Sequence, residues 1–227
     1  MRKSVSFLIL FITTNFLYSQ NSLTITILHC KNLENNTVFG FNEIVLYKND
    51  TIYKSEDSNS EIKTFENLPE GKYYVMYKTY FGDKKSDTFV LKNNKSEYLI
   101  NLCIDEIDSK VKNRTNNLFF KRIKNNEEIT INCNYSGCFD NSSHLIKISK
   151  KKNKFYLSYN EVNRKLSRSE ISSLVNYELE LRNVKEVDYI STGNTSDEIK
   201  YKNEVYAFRI NPFWQGFQNL KNELKLK

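Results

Sequence analysis

A β-sandwich followed by an α+β module with two helices is the fold class this chain predicts, and three features of the sequence point to it. Residues 22–104 hold short stretches of alternating polar and apolar residues, separated at even spacing by turn signals, as half-buried antiparallel strands are. Residues 105–117 (DEIDSKVKNRTNN) are polar and aperiodic, which reads as a linker. In residues 118–227 strand-like segments give way to a capped helix, a further strand and a last helix, the order of an α+β module.

Residues 1–19 come first and predict a cleavable signal peptide. Arg2 and Lys3 form the positive start, VSFLILFI over 5–12 is the apolar core, and small Ser19 precedes Gln20 at the expected cleavage point. That core is well short of the roughly 20 apolar residues a membrane span needs. Cys30 follows His29 and lies beyond Asn21 and Ser22, so it is not placed as a lipid-anchored cysteine. No later segment is apolar enough to span a membrane. The expectation is an exported protein, periplasmic or secreted.

The first module, 20–104, reads as strands over 22–28, 43–47, 51–53, 61–65, 72–80, 85–91 and 96–102, with Asn49-Asp50 as one of its turns. Phe65-x-x-Leu68-Pro69-x-Gly71-x-Tyr73-x-Val75 resembles the strand-turn-strand core of prealbumin-like sandwich domains, the group that includes carboxypeptidase-regulatory-like and CnaB-like modules. Phe65 and Leu68 would plug the core, Pro69 set the turn, and Gly71 relieve the backbone before Tyr73 and Val75 re-enter. The resemblance implies a fold and no chemistry.

In the second module, segments 118–123, 128–133, 145–148 and 154–159 read as strands. Ser167 and Glu170 make a capping box, with Ile171, Leu174, Val175 and Leu181 on one helical face. Residues 204–210 read as another strand. Asn211 then caps a last helix with Pro212 in its first turn and Phe213, Phe217, Leu220 and Leu224 in one stripe. This half resembles a group of uncharacterised exported proteins of Bacteroidetes, through Ser136-Gly137-Cys138-Phe139 ahead of a hairpin, the Leu/Glu-rich helix, and Phe213-Trp214-x-Gly216-Phe217. Those proteins often carry a second cysteine just before the tryptophan, where Asn211-Pro212-Phe213 stands here. The resemblance implies a source and a compartment, and no activity.

The net charge of +7 becomes +5 once Arg2 and Lys3 leave with the signal. Asn, Lys, Ile, Tyr and Phe abound while Ala207 is the one alanine, a composition that AT-rich codons produce and that spreads charge over a solvated surface. The dense basic run over 147–154 sits at an expected hairpin turn, and no nucleic-acid module accompanies it, so no nucleic-acid partner is expected.

Four cysteines in an oxidising compartment suggest pairing. Cys133 and Cys138 could close across a tight turn, and Cys30 and Cys103 sit on the first and last strands of the sandwich. The sharper alternatives are a metal site made by Cys133, Cys138 and His144, which lacks an obvious fourth ligand, and a Cys138 nucleophile with His144 as base. Glu178 and Glu180 are two apart on a helix and point to different faces, Glu170 is explained as a cap, and nothing favours glycoside hydrolysis. Tyr73, Tyr77 or Trp214 could serve a carbohydrate platform, although core packing accounts for them as well. The Asn-x-Ser/Thr sequons at Asn35, Asn113, Asn134, Asn141 and Asn194 follow from the abundance of asparagine.

No cofactor motif is present. The expectation is an exported, non-enzymatic binding or interaction protein of the cell envelope, with a protein or glycan partner. The alternatives are an enzyme or metal site centred on Cys133, Cys138 and His144, and a periplasmic inhibitor or immunity protein.

Overall fold

The computed structural model describes residues 21–31, 43–57, 60–92, 97–107, 117–137, 141–185, 194–209 and 214–226. The expected signal peptide lies outside them. Strands dominate, in three sheets with a small helical part, and the chain divides into two compact units: 1–79 with 83–104, and 80–82 with 105–227. Among the described residues no helix is long and apolar enough to cross a membrane.

The first unit holds β1 (Asn21–Leu28), β2 (Glu43–Lys48), β3 (Thr51–Asp57), β4 (Ile62–Leu68), β5 (Gly71–Thr79), β6 (Gly82–Lys85), β7 (Phe89–Leu91) and β8 (Glu97–Cys103). One sheet runs β4-β1-β8 and the other β3-β2-β5-β6, with β7 also on β5. Strand parity does the packing: Leu23, Ile25 and Ile27 of β1 are buried, as are Ile44 and Leu46 of β2 and Tyr73, Val75 and Tyr77 of β5, while their neighbours face out. Two sheets each burying one face are consistent with a β-sandwich. The sheets are not wholly antiparallel as expected, because β1 and β8 pair in parallel. A parallel pair needs a long crossover, and the intervening strands of the second sheet supply it.

The quoted turn motif behaves as its residue types require. Phe65, Leu68, Tyr73 and Val75 are fully buried, and the Tyr73 hydroxyl donates to the Pro69 carbonyl at 2.8 Å, stapling strand to turn. Gly71 sits at φ +154°, where a side chain is strained. Asn49 and Asp50 both have positive φ and turn β2 into β3.

Cys30 and Cys103 form a disulfide between the end of β1 and the end of β8, with Cα atoms 5.4 Å apart and a sequence separation of 73. Closing a loop of that length removes about 4 kcal/mol of unfolded-state entropy.

The second unit holds a helical turn α1 (Phe119–Arg122), β9 (Glu128–Ser136), β10 (Asn141–Lys151), β11 (Lys154–Tyr159), β12 (Val162–Lys165), helix α2 (Arg168–Leu181), β13 (Asn194–Tyr201), β14 (Glu204–Arg209) and helix α3 (Gly216–Glu223). Its six strands run β12-β11-β10-β9-β13-β14, all neighbours antiparallel. The basic run is indeed a hairpin: Lys152 and Asn153 take positive φ between β10 and β11. The capping box at Ser167 and Glu170 is formed in both directions. From Tyr177 to Leu181 every residue of α2 is buried.

Two expectations change here. Residues 119–122 are a helical turn rather than a strand, and the last helix begins at Gly216, the expected cap at Asn211 and Pro212 lying outside the described residues. The turn α1 exists because Glu178 caps it. The Phe119 and Phe120 amides donate to the two Glu178 oxygens at 2.7 and 3.1 Å, and Arg182 closes on the same carboxylate at 2.7 Å. Of the expected linker, Ile107 is buried and packs with Leu118 and Leu179.

Replacing Cys30 and Cys103 by serine is expected to lower the stability of the first unit by about 4 kcal/mol. For a domain of this size that is a drop on the order of 20 °C in its melting temperature by calorimetry. A change of only a degree or two would show that the bridge does not constrain the fold. Glu178→Ala leaves Arg182 and two amides without their acceptor and is expected to cost about 3–5 kcal/mol. Urea unfolding followed by the fluorescence of Trp214, the chain's single tryptophan, reads that loss in the second unit.

Candidate functional site

The residues singled out for chemistry in the second half converge on the centre of the six-stranded sheet. Register pairs His144 of β10 with Cys133 of β9, and Cys133 with Asp197 of β13, so three titratable side chains form one row on the face that α2 and α3 cover. Cys133 and Asp197 are buried and His144 is half-buried. Strand alternation puts them there: Ile129 and Ile131 precede Cys133 on the inward face, and Ile199 and Tyr201 follow Asp197.

The helices add the rest of the cluster. Tyr177 of α2 donates its hydroxyl to Asp197 Oδ2 at 2.7 Å. Trp214 stacks on Tyr177 with centroids 5.9 Å apart and donates its indole N–H to Glu180 Oε2 at 3.3 Å. His144 packs against Phe217 and shares a hydrogen bond of 2.8 Å between Nδ1 and the Tyr159 hydroxyl. Gly216 makes room for the indole, since a Cβ there would stand 2.0 Å from Trp214 Cζ2. The spacing of tryptophan, one residue and glycine therefore has a steric cause.

The electrostatics of the row decide what it can do. Burial pushes the Cys133 thiol up, and the neighbouring Asp197 carboxylate, which accepts from it, pushes it further. That is the opposite of the activation a nucleophilic cysteine needs, which is a nearby cation and a depressed pKa. Burial also raises Asp197, against the opposing hydrogen bonds from Cys133 and Tyr177. Its Oδ1 finds no hydrogen-bond partner among the described residues. His144 is lowered by burial and then by Lys221. As placed, the row holds a protonated thiol beside a carboxyl that resists ionisation, which is packing chemistry rather than acyl-transfer chemistry.

Cys133 carries a free thiol in this structure. Its expected partner Cys138 lies outside the described residues, and so do the three-ligand metal site and the Cys138 nucleophile that depend on it. Among the described residues no three His, Cys, Asp or Glu side chains gather as a metal-binding group. The Glu178 carboxylate is consumed by α1 and Arg182, and Glu180 faces Trp214. Glu170 does act as a cap, held at about 2 by Arg164 and by its bonds to Ser167.

The expected aromatic platform is not available as named. Tyr73, Tyr77 and Trp214 are all buried. The aromatic surface of the first unit belongs instead to residues of the other parity. Tyr47 and Tyr74 stack with centroids 4.8 Å apart and an interplanar angle of 7°, and Lys85 Nζ lies 3.4 Å from the Tyr74 centroid. Beside this stack Val45, Tyr47 and Met76 line a shallow groove on the outer face of β2 and β5, and Glu43, Lys78 and Asp83 stand at it. Glu43 and Lys78 are ion-paired at 3.0 Å.

The rim formed by β3 and β4 is closed to strand pairing. Lys54 opposes the core residue Leu46 and, although exposed, reaches across to donate to the Glu66 carbonyl of β4 at 3.0 Å. Lys63 opposes the core residue Ile25, is almost fully buried, and is attracted by Glu56 and Asp57. A register shift between Ile52 and Lys54 adds a bulge to β3. Inward lysines and bulges are the usual guards of an edge strand.

No family model matches the chain, and no curated protein does. Among solved structures the chain is similar to one titled "The Bacillus anthracis TIE protein", with a TM-score of 0.37 and 12% sequence identity over 85% of this chain. It spans 32% of that chain's length.

Asp197→Asn tests the buried row. Because the folded-state pKa of Asp197 is raised, its favourable contribution is complete below the unfolded value near 3.9 and is lost as pH rises through the folded value. Each pH unit between the two values costs about 1.4 kcal/mol. The stability of Asp197→Asn relative to the unmodified chain should therefore grow from about pH 4 upward, read as urea midpoints. Parallel pH profiles for the two proteins would show that Asp197 ionises freely.

Proposed function

We propose that this is an exported, non-enzymatic binding protein of the cell envelope whose contact surface is the outer face of β2 and β5. The observation that carries the reading is the groove of Val45, Tyr47 and Met76 beside the Tyr47–Tyr74 stack, with acidic and basic residues at its margin. Half-buried aromatic and methionine side chains with charges around them are the composition of recognition surfaces. The guarded β3–β4 rim favours side-chain contact on this face over strand addition there.

Export is supported by the Cys30–Cys103 bridge, which persists in oxidising compartments, together with the signal-like start of the sequence. The prealbumin-like reading of the first unit is supported by the Phe65 to Val75 motif, whose residues take the buried and turn positions that the resemblance implies. Burial and the Asp197 carboxylate disfavour Cys133 as a nucleophile, while the expected Cys138 nucleophile lies outside the described residues.

A photocrosslinking residue in place of Lys78, at the groove margin, should capture an envelope protein or glycan in the producing cell. Tyr47→Ala in the same chain should reduce that capture by about tenfold, the effect of losing roughly 1.4 kcal/mol at an aromatic contact. Equal capture with and without Tyr47 would remove the groove as the contact surface.

A further inference from the structure

We infer that the uncovered face of the six-stranded sheet in the second unit binds an anionic polysaccharide, with Lys147 and Lys200 as its central contacts. This goes beyond the groove reading and uses the other unit, so either can fail alone. Helices α2 and α3 cover the face that carries Ile129, Ile131 and Cys133, so strand alternation turns Glu128, Thr130 and Asn132 of β9 the other way. Cross-strand register carries that outward face over the neighbouring strands. Thr130 stands between Lys147 of β10 and Lys200 of β13. Lys151 stands directly opposite Lys154 of β11, and Tyr156 stands opposite Lys165 of β12. These lysines are all exposed, and Leu145 and Val205 on the same face are 47% and 52% exposed, so the face is open.

The charge of this face is unbalanced. Glu128 and Glu198 are the acids at the outward positions, and none of the lysines named above is ion-paired among the described residues. Elsewhere in this unit Arg122, Arg164, Arg182 and Lys202 each hold a carboxylate at 2.7 Å. Lys151 against Lys154 opposes like charges, an arrangement that costs stability in a bare sheet and that a bound anion relieves. A polyanion therefore complements this face. A glycan fits it in particular. Lys147 and Lys200 are two strand spacings apart, about 9–10 Å, close to the disaccharide repeat of an extended glycan chain. Between and beside them Thr130, Asn132, Ser149 and Ser158 present hydroxyls and amides, which pair with sugar hydroxyls. Sites for single-stranded nucleic acid interleave stacking rings with the basic groups, and Tyr156 is the one ring at these outward positions of the described strands. A duplex is read by a helix or ribbon that enters its groove, which the face of a six-stranded sheet cannot do.

The test uses the full mature chain, with polygalacturonate and dextran sulfate as carboxylated and sulfated probes and dextran as the neutral one. Binding to at least one charged probe is expected, weakening as salt is raised, with no binding to dextran. Lys147→Gln together with Lys200→Gln should weaken that binding by about tenfold or more. Lys121→Gln together with Lys124→Gln removes the same charge from exposed sites on and beside α1, and should leave binding within about twofold. Unchanged circular-dichroism spectra of both variants keep the comparison at the level of binding. Equal weakening by the two pairs overturns the inference, because net charge alone would then account for it. So does binding to neither charged probe. Tighter binding to duplex DNA or to phosphatidylglycerol vesicles than to both charged probes overturns it as well.

Discussion

The carboxylate of Glu178 is the point on which the second unit depends. It is fully buried, and an isolated charge there would be costly. It is tolerated because two backbone amides and one guanidinium converge on it. The two amides belong to α1, a turn too short to hold itself and lacking any cap from its own side chains. Fixing α1 places Phe119 against Tyr201 of β13, and fixing Arg182 places its guanidinium over Phe119 and Tyr206. The Arg182 carbonyl then accepts from the Tyr206 hydroxyl. One acid thus links a helix, a helical turn and the last two strands of the sheet.

Asp197 is the counterpart with no paired cation among the described residues. Its carboxyl sits at an inward position of β13 where an apolar residue would be ordinary, and among the described residues the Tyr177 phenol donates to it beside the Cys133 thiol. Such an arrangement is weak as a source of stability but strong as a constraint on register. A one-residue slip of β13 would carry Asp197 to the other face and strand the Tyr177 hydroxyl. The polar row therefore specifies pairing, and its chemistry is muted by the same burial that makes it specific.

Most of the strands were legible because alternation is a local signal. The capping box at Ser167 and Glu170 was legible for the same reason, being four residues long. Two of the failures share a cause, which is a partner far away in sequence, whereas β12 was missed although it pairs with its neighbour β11. Phe119 and Phe120 look like strand residues until Glu178, more than fifty positions on, captures their amides. β13 (NTSDEIKY) buries Ile199 and Tyr201 but spends its third inward position on Asp197, so its alternation reads as polar loop. Missing that strand meant missing the partner of Cys133. The aromatic surface was a different kind of miss. Val75 was recognised as core, and parity alone then assigns Tyr73 and Tyr77 to the same buried side and Tyr74 and Met76 to the exposed one.

The two units solve the stability problem by different means. The first is a pair of sheets with no helix among its described residues, and small cores of this kind lean on a covalent tie between first and last strands. Its charged residues guard the β3–β4 rim, and its unguarded surface is the flat outer face of β2 and β5. The second unit covers one face of its sheet with helices and ties them down through buried acids. Those acids are committed to backbone amides, a guanidinium, a phenol and an indole, so the groups best suited to proton transfer are occupied in holding the fold.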